Sequence, residues 1–72
     1  MSIEITLLDV VALVEDMPEH GLVRGHVGTV VEVLAPGVFE VEFSDEEGRA
    51  YASVSARAGQ LMPLRHRPAK VA

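Results

Sequence analysis

The sequence has no cysteine, no tryptophan, one tyrosine and two phenylalanines in 72 residues. Without cysteine there is neither a disulfide nor a thiol nucleophile, so stability must come from packing or from a partner subunit. The length indicates one domain, near the size at which a single hydrophobic core just offsets chain entropy. Because 49% of the residues are hydrophobic, the core must be built of valine, leucine and alanine, which is typical of β-structure.

Basic residues are scarce over most of the chain. The part up to Leu64 has eleven acids and three arginines, a net charge of −8; the arginines are Arg24, Arg49 and Arg57. Three further basic residues follow at Arg65, Arg67 and Lys70. An acidic body repels phosphate, so the sequence disfavours nucleic acid as a partner except through this basic tail, residues 65–72.

Long hydrophobic runs are also missing. No apolar run approaches the roughly 20 residues that cross a bilayer. The apolar start, Ile3–Val14, is interrupted by Glu4 and Asp9 and lacks a basic n-region, which argues against a secretory signal. We therefore expect a cytoplasmic protein with no membrane partner.

The chain is organised around a glycine-punctuated stretch, His20–Leu34. It contains three of the six glycines, Gly21, Gly25 and Gly28, and a valine-rich run that starts at Val27. The run predicts a strand that the other strands pair with on either side. Gly28, inside that strand, indicates a bend or a close approach of two backbones.

Besides a lead-in or short edge strand at the start, the remaining pattern predicts five strands. The predicted order is a lead-in or edge strand Ser2–Thr6, strand Leu7–Val14, loop Glu15–Gly25, strand Val27–Leu34, turn Ala35–Gly37, strand Val38–Ser44, hairpin loop Asp45–Gly48, strand Arg49–Ser55, a 3-10 turn Arg57–Gln60, and a short edge strand Leu61–Leu64. The tail after Leu64 has no apolar period and is expected to lie outside the domain, which spans residues 1–64.

Alternation predicts which side chains face the core. Phe39, Val41 and Phe43 share one face of the third predicted strand, with the two phenylalanines as core anchors. In the fourth, Ala50, Ala52 and Val54 face inward. In the second, one side holds Val27, Thr29, Val31 and Val33, and the other holds Gly28, Val30, Glu32 and Leu34. Neither side of that strand is polar, so either both faces are partly covered in a bent strand or one apolar face is left for another subunit.

The layout of five short strands, with a long loop after the first and a 3-10 turn before the last, resembles an SH3-like barrel, and the fold class is therefore all-β. Asp9–Val33 is similar to the KOW-type segment of ribosomal and transcription-elongation proteins. The strings V-A-L-V-E-D-M-P-E-H-G-L, F-E-V-E-F-x-D and Q-L-M-P-L resemble a family of small bacterial proteins with a domain of unknown function. The step R-G-x-x-G is similar to one in the barrel domain of the nitrile hydratase β subunit, which implies a role as partner of a larger protein.

The loop Glu15–Gly25 is the candidate functional segment. One interpretation is a lid, with Leu22 and Val23 covering the open end of the sheet. The other is a partner surface, for which the candidate residues are Met17, Glu19, His20, Leu22 and Arg24. Nucleic-acid-binding KOW loops are basic, whereas this loop is acidic, so the resemblance implies the fold more than RNA or DNA binding.

The sequence gives little support for a metal site or for catalysis. Asp16, Glu19, His20 and His26 are metal-ligand types within eleven residues, but their spacing matches no structural zinc pattern, and we predict no metal or cofactor. Whether the loop around His20 and His26 binds a metal stays open. The serines lack a nucleophile motif, so we do not expect an enzyme.

The apolar residues of the strands are too many for so small a core. The set is Val10, Val11, Leu13, Val14, Val30, Leu34, Val38 and Met62. Apolar surface left outside predicts a protein-binding or self-associating module, in which the partner is another protein or a homo-oligomer. The alternatives are a KOW-like nucleic-acid-binding module that uses the basic tail, and a small antitoxin or immunity-type protein.

Overall fold

The computed structural model describes residues 4–64. Its elements are β1 (Val10–Leu13), a first 3-10 helix (Pro18–His20), β2 (Val27–Ala35), β3 (Val38–Ser44), β4 (Ala50–Arg57), a second 3-10 helix (Ala58–Gln60) and β5 (Leu61–Pro63). The basic tail and the start of the predicted lead-in strand, Ser2 and Ile3, lie outside the described residues. Glu4 to Thr6, its remaining part, are not in a strand.

The strands form one antiparallel sheet in the order β4-β3-β2-β1-β5. The predicted all-β fold is therefore confirmed, with the first strand between the second and the last. The predicted 3-10 turn directly before the last strand is also confirmed. Pro63 lies in β5 at one edge of the sheet, where the missing backbone N–H costs no ladder hydrogen bond.

The core lies on one face of this sheet. It collects buried side chains from all five strands, including Val54 and Ala56 of β4 and Leu61 of β5. Because β4 and β5 are at opposite ends of the strand order, their side chains meet only if the sheet curls around its own inner face. The predicted anchors are confirmed: Phe39 is 5% exposed and Phe43 is fully buried.

The first strand is shorter than predicted, since β1 begins at Val10 and not at Leu7. Thr6 to Asp9 form a turn in which the Asp9 N–H donates to the Thr6 carbonyl (3.1 Å) and the Asp9 carboxylate accepts from the Thr6 N–H (2.9 Å). Leu8 adopts a left-handed conformation with φ of 72°. An apolar run gives no sign of such a turn, because leucine rarely takes positive φ.

The predicted alternation of the second strand holds only as far as Val30. Val30 pairs with Val41, but Glu32 pairs with Glu40 and Val33 with Phe39, so Val31 is an extra residue in a bulge. Past the bulge, Glu32 lies on the outer face and Val33 on the face of Phe39, the reverse of the prediction. Leu34, expected opposite Val33, falls in a second irregularity between Val33 and Ala35.

The two hairpins follow the predicted turns. Gly37 and Gly48 both take positive φ, 75° and 83°, at the positions that the sequence predicts. The fourth strand runs two residues further than predicted, to Arg57, and its inward residues are shifted accordingly. Val54 is buried and Ala52 half-buried as expected, but Ala50 is exposed and Ala56 is buried in its place.

Candidate protein-binding surface

The loop Glu15–Gly25 closes on itself through a small backbone bridge. Met17 and Leu22 exchange hydrogen bonds of 2.9 and 3.2 Å around the first 3-10 helix, and Gly21 supplies the left-handed residue that ends it. The side chains of Met17 and Leu22 enter the core, with 5% and 0% exposure. The lid interpretation is confirmed for Leu22 and wrong for Val23, which is 53% exposed.

Burial of Met17 and Leu22 corrects their assignment as partner-binding residues, because side chains inside the core cannot reach a partner. The other three candidates are exposed: Glu19 and His20 on the first 3-10 helix, and Arg24 in the turn that follows. The Arg24 N–H donates to the Asp16 carboxylate at 2.8 Å, which fixes the far end of the loop. Partner binding by these three residues stays a prediction.

His26, which directly precedes β2, takes part in the hydrogen bonding of the loop. The Val23 N–H donates to Nδ1 of His26 at 3.1 Å, and the His26 carbonyl accepts from the Leu13 N–H at 2.9 Å. Its ring meets Tyr51 edge to face, with centroids 6.3 Å apart. In residues 4–64 no three histidine, aspartate or glutamate side chains are grouped so that they could hold a metal ion.

A row of apolar side chains crosses three strands on the outer face of the sheet. Ala12 pairs with Val27 of β2 on one side and with Met62 of β5 on the other. Directly opposite residues point to the same face, and this face is the outer one because Val11 and Leu13, the neighbours of Ala12, are in the core. Val27 is 47% and Met62 49% exposed, whereas Ala12 between them is 7% exposed.

Three more apolar residues extend this row on the same face. The Leu64 N–H donates to the Val10 carbonyl at 2.8 Å, which continues the pairing of β5 with β1, and the Val14 N–H donates to the Gln60 carbonyl at 3.0 Å. Val14 is 41% exposed, and Val10 and Leu64 are half-buried. We name the group of six the outer apolar patch: Val10, Ala12, Val14, Val27, Met62 and Leu64.

Beside the patch, the middle of the outer face is polar and acidic. Thr29 of β2 faces Glu42 of β3, and further along the same strands Glu32 faces Glu40. The Ser53 hydroxyl of β4 donates to the Glu40 carboxylate. The outer face is thus divided along β2 into an apolar half and an acidic half.

Ionisable groups of the described part of the chain all reach solvent, since no polar or charged side chain between residues 4 and 64 is buried. No helix in that part is long and apolar enough to cross a membrane.

Only part of the outer apolar patch is predicted by the sequence. Val10, Val14 and Met62 were expected among the surplus apolar residues, but Val27 and Leu64 were not. For Val27 a signal was present, because it alternates with Gly28, whose close packing predicts the inner face. For Leu64 the signal was its alternation with Met62 in the predicted strand Leu61–Leu64, and its backbone hydrogen bond to Val10 agrees with that placement.

Comparison with known proteins identifies the family. Residues 7–63 match the model of a family described as a domain of unknown function, DUF4926. The match covers all five strands and the loop between β1 and β2. No curated protein matches the chain, and no solved structure matches it. The resemblance to a family of unknown function is thereby confirmed, and the chain belongs to the DUF4926 family.

Proposed function

We propose that this domain is a non-catalytic protein-binding module that holds a partner protein on the outer apolar patch. The observation that supports the proposal is the row Val27, Ala12 and Met62, whose two outer members are 47% and 49% exposed although the core is complete without them. Apolar side chains grouped on a rigid strand surface can be buried by a partner at little cost in conformational entropy.

The charges around the patch indicate what kind of partner fits. Glu15, whose carboxylate accepts from the Gln60 side chain at 3.1 Å, and Asp16 follow directly after Val14. The acidic half of the outer face lies on the other side of the patch. Between residues 4 and 64 the charges beside the patch are acidic, and a partner that combines apolar side chains with basic residues is therefore favoured.

The polar groups of the loop support a binding role over catalysis. The Asp16 carboxylate and Nδ1 of His26 both accept hydrogen bonds from backbone N–H groups of the loop. They hold the loop in shape. A small domain that folds without cysteine also suits the cytoplasm, where we place the module.

The test compares two double variants with matched exposure. Val27→Ser/Met62→Gln removes the two exposed members of the row, and Val31→Ser/Leu34→Gln removes two residues of similar exposure, 40% and 45%, outside the patch. Proteins captured by the wild-type domain from the source cell are identified, purified and titrated against all three forms by calorimetry.

We expect the patch variant to weaken binding by about 10-fold or more, as removal of central apolar contacts does, and the control variant to bind as wild type does. Both variants should melt cooperatively, since neither change touches a buried side chain. Equal binding by the two variants would show that the patch is not the site.

A further inference from the structure

The sheet has one long edge that no other strand covers in residues 4–64. β4, Ala50–Arg57, pairs with β3 on one side only, and the opposite edge of the sheet is β5, three residues long and ending in Pro63. Short edge strands and proline are two means by which proteins block edge-to-edge pairing. β4 has neither, and it contains no lysine, aspartate or glutamate.

The hydrogen-bonding groups on this edge can be assigned from the pairing. β4 pairs with β3 without a shift from Phe43–Ala52 to Val38–Arg57, and the Ala58 N–H continues the ladder by donating to the Gly37 carbonyl at 2.9 Å. Since the direction of backbone groups alternates along a strand, Ser53, Ser55 and Arg57 direct their N–H and C=O groups to the open edge. The Arg57 N–H donates to Oε1 of Gln60 at 2.9 Å, which closes this end.

The sequence of β4 is nearly the same in both directions. From Ala50 to Ala58 it reads A-Y-A-S-V-S-A-R-A, a palindrome about Val54 with the single exception of Tyr51 and Arg57. A two-fold axis at Val54 would bring two copies of this strand together antiparallel, with like residues opposite each other. The exception lies at the ends of the regular stretch, where Tyr51 is in a bulge and the Arg57 N–H is bonded to Gln60.

We propose that the β4 edge binds a second copy of this chain, with Val54 at the two-fold axis, so that the two sheets join into one. In this register Ser53 lies opposite Ser55 of the second copy, and each chain contributes both members of such a pair. Small side chains meet at the other positions, where Ala52 lies opposite Ala56. The bulge at Tyr51, between Ala52 opposite Phe43 and Ala50 opposite Ser44, lies outside the regular stretch that pairs.

The distribution of charge favours this edge as the interface between two acidic chains. β4 contributes an arginine and no acid. Glu40 and Glu42 lie one strand away on β3, and Asp45, Glu46 and Glu47 lie in the hairpin loop before its bulged start. In the joined sheet the two β3 strands are three strand spacings apart, roughly 14 Å. That distance exceeds the Debye length of about 8 Å at physiological ionic strength. The edge is at the opposite end of the sheet from β1 and β5, so the inference does not depend on the outer apolar patch.

The first measurement is the mass of the wild-type protein across a range of concentrations, by light scattering or native mass spectrometry. A dimer of twice 7.8 kDa is expected at high concentration. A monomer at every concentration would overturn the proposal.

Two double variants then test the register. Ser53→Lys/Ser55→Lys sets two pairs of lysines against each other across the axis and should raise the dissociation constant of the dimer by about 100-fold or more. Ser53→Lys/Ser55→Glu sets each lysine against a glutamate of the second copy and should leave a dimer. A dimer that survives the first variant would place self-association elsewhere and overturn the proposal.

Amide hydrogen exchange of the wild-type protein provides a readout that needs no variant. The N–H groups of Ser53 and Ser55 should exchange rapidly in dilute protein and become protected as the dimer forms, because only the second copy supplies their acceptors. If they stay unprotected in a proven dimer, β4 is not the interface.

Discussion

Gly28 determines how closely β2 and β3 approach. A Cβ at this position would lie 2.8 Å from the Glu42 carbonyl oxygen and 2.9 Å from Cδ2 of Phe43, distances that real side chains do not show. The glycine therefore makes room for the ring of Phe43, the residue with which it pairs. The sequence-based expectation of a close backbone approach at Gly28 is confirmed.

Replacing this glycine should be costly. Gly28→Ala is expected to lower the free energy of unfolding by about 1 to 3 kcal/mol, since a methyl group forced into a packed site displaces its neighbours. Urea unfolding measures the change. Gly59→Ala is the matched control: nothing lies within 4 Å of a Cβ there, and its stability should stay within about 0.5 kcal/mol of wild type. Equal effects of the two substitutions would contradict this account.

Leu8 is an exposed residue in a backbone conformation that leucine disfavours. Its φ is 72° and its side chain is 69% exposed. Leu8→Asn should raise the free energy of unfolding by about 0.5 to 1 kcal/mol, because asparagine tolerates the left-handed region better and little packing is lost. The neighbouring Leu7→Asn should bring no gain. Thermal unfolding of both variants checks the prediction, and a loss of stability in Leu8→Asn would count against it.

One carboxylate in the β3–β4 hairpin accepts two backbone hydrogen bonds. Asp45 Oδ1 accepts from the N–H groups of Glu47 and Arg49, at 2.9 and 3.0 Å. We expect Asp45→Ala to lower the free energy of unfolding by about 1 to 2 kcal/mol, because two hydrogen bonds to a charged acceptor are lost. Glu46→Ala removes the same charge without these bonds and should have little effect. A thermal melt in which both variants behave alike would show that charge, and not the turn, matters.

Elements with their own local signals could be predicted from the sequence. β3 alternates without interruption, and both hairpins have a glycine where φ must be positive, so these parts match the structure closely. The start of β1 could not be predicted, because a leucine and not a glycine makes the turn before Val10. The outer face past Val30 could not be predicted either, since one extra residue at Val31 reverses the faces of Glu32 and Val33.

The candidate surface could likewise be predicted only in part from the sequence. Surplus valines were expected outside the core and are found there, but which strands bring them together depends on the pairing of β1 with both β2 and β5. The loop was predicted as one unit, whereas the bridge between Met17 and Leu22 divides it into a buried and an exposed side. A bridge between residues five apart in a polar loop leaves no periodic signal.

The whole molecule is acidic, with eleven acids and a net charge of −5. Glu32 of β2 lies directly opposite Glu40 of the neighbouring strand β3. Self-repulsion should therefore weaken the fold at low salt. Between about 0.01 M and 1 M NaCl the Debye length falls from about 30 Å to about 3 Å. We expect the melting temperature to rise by roughly 4 °C or more, which corresponds to about 1 kcal/mol for a domain of this size.

The control for this salt effect is Glu32→Gln/Glu40→Gln, which removes the facing charges and should give a smaller rise. Calorimetric scans of both proteins supply the comparison. An unchanged melting temperature of the wild-type protein across the salt series would show that charge repulsion does not limit its stability.

The hydrogen bond from the Leu64 N–H to the Val10 carbonyl brings the entry and the exit of the fold to neighbouring points in space. The fold therefore does not require the strands to follow one another along the chain in their present order. A circular permutant, with a short glycine-serine linker that bridges these two points and new ends between Glu46 and Glu47, should retain the circular dichroism spectrum of the parent. Because these two points are close together, the whole domain could be inserted into a surface loop of a host protein without separating the two ends of that loop.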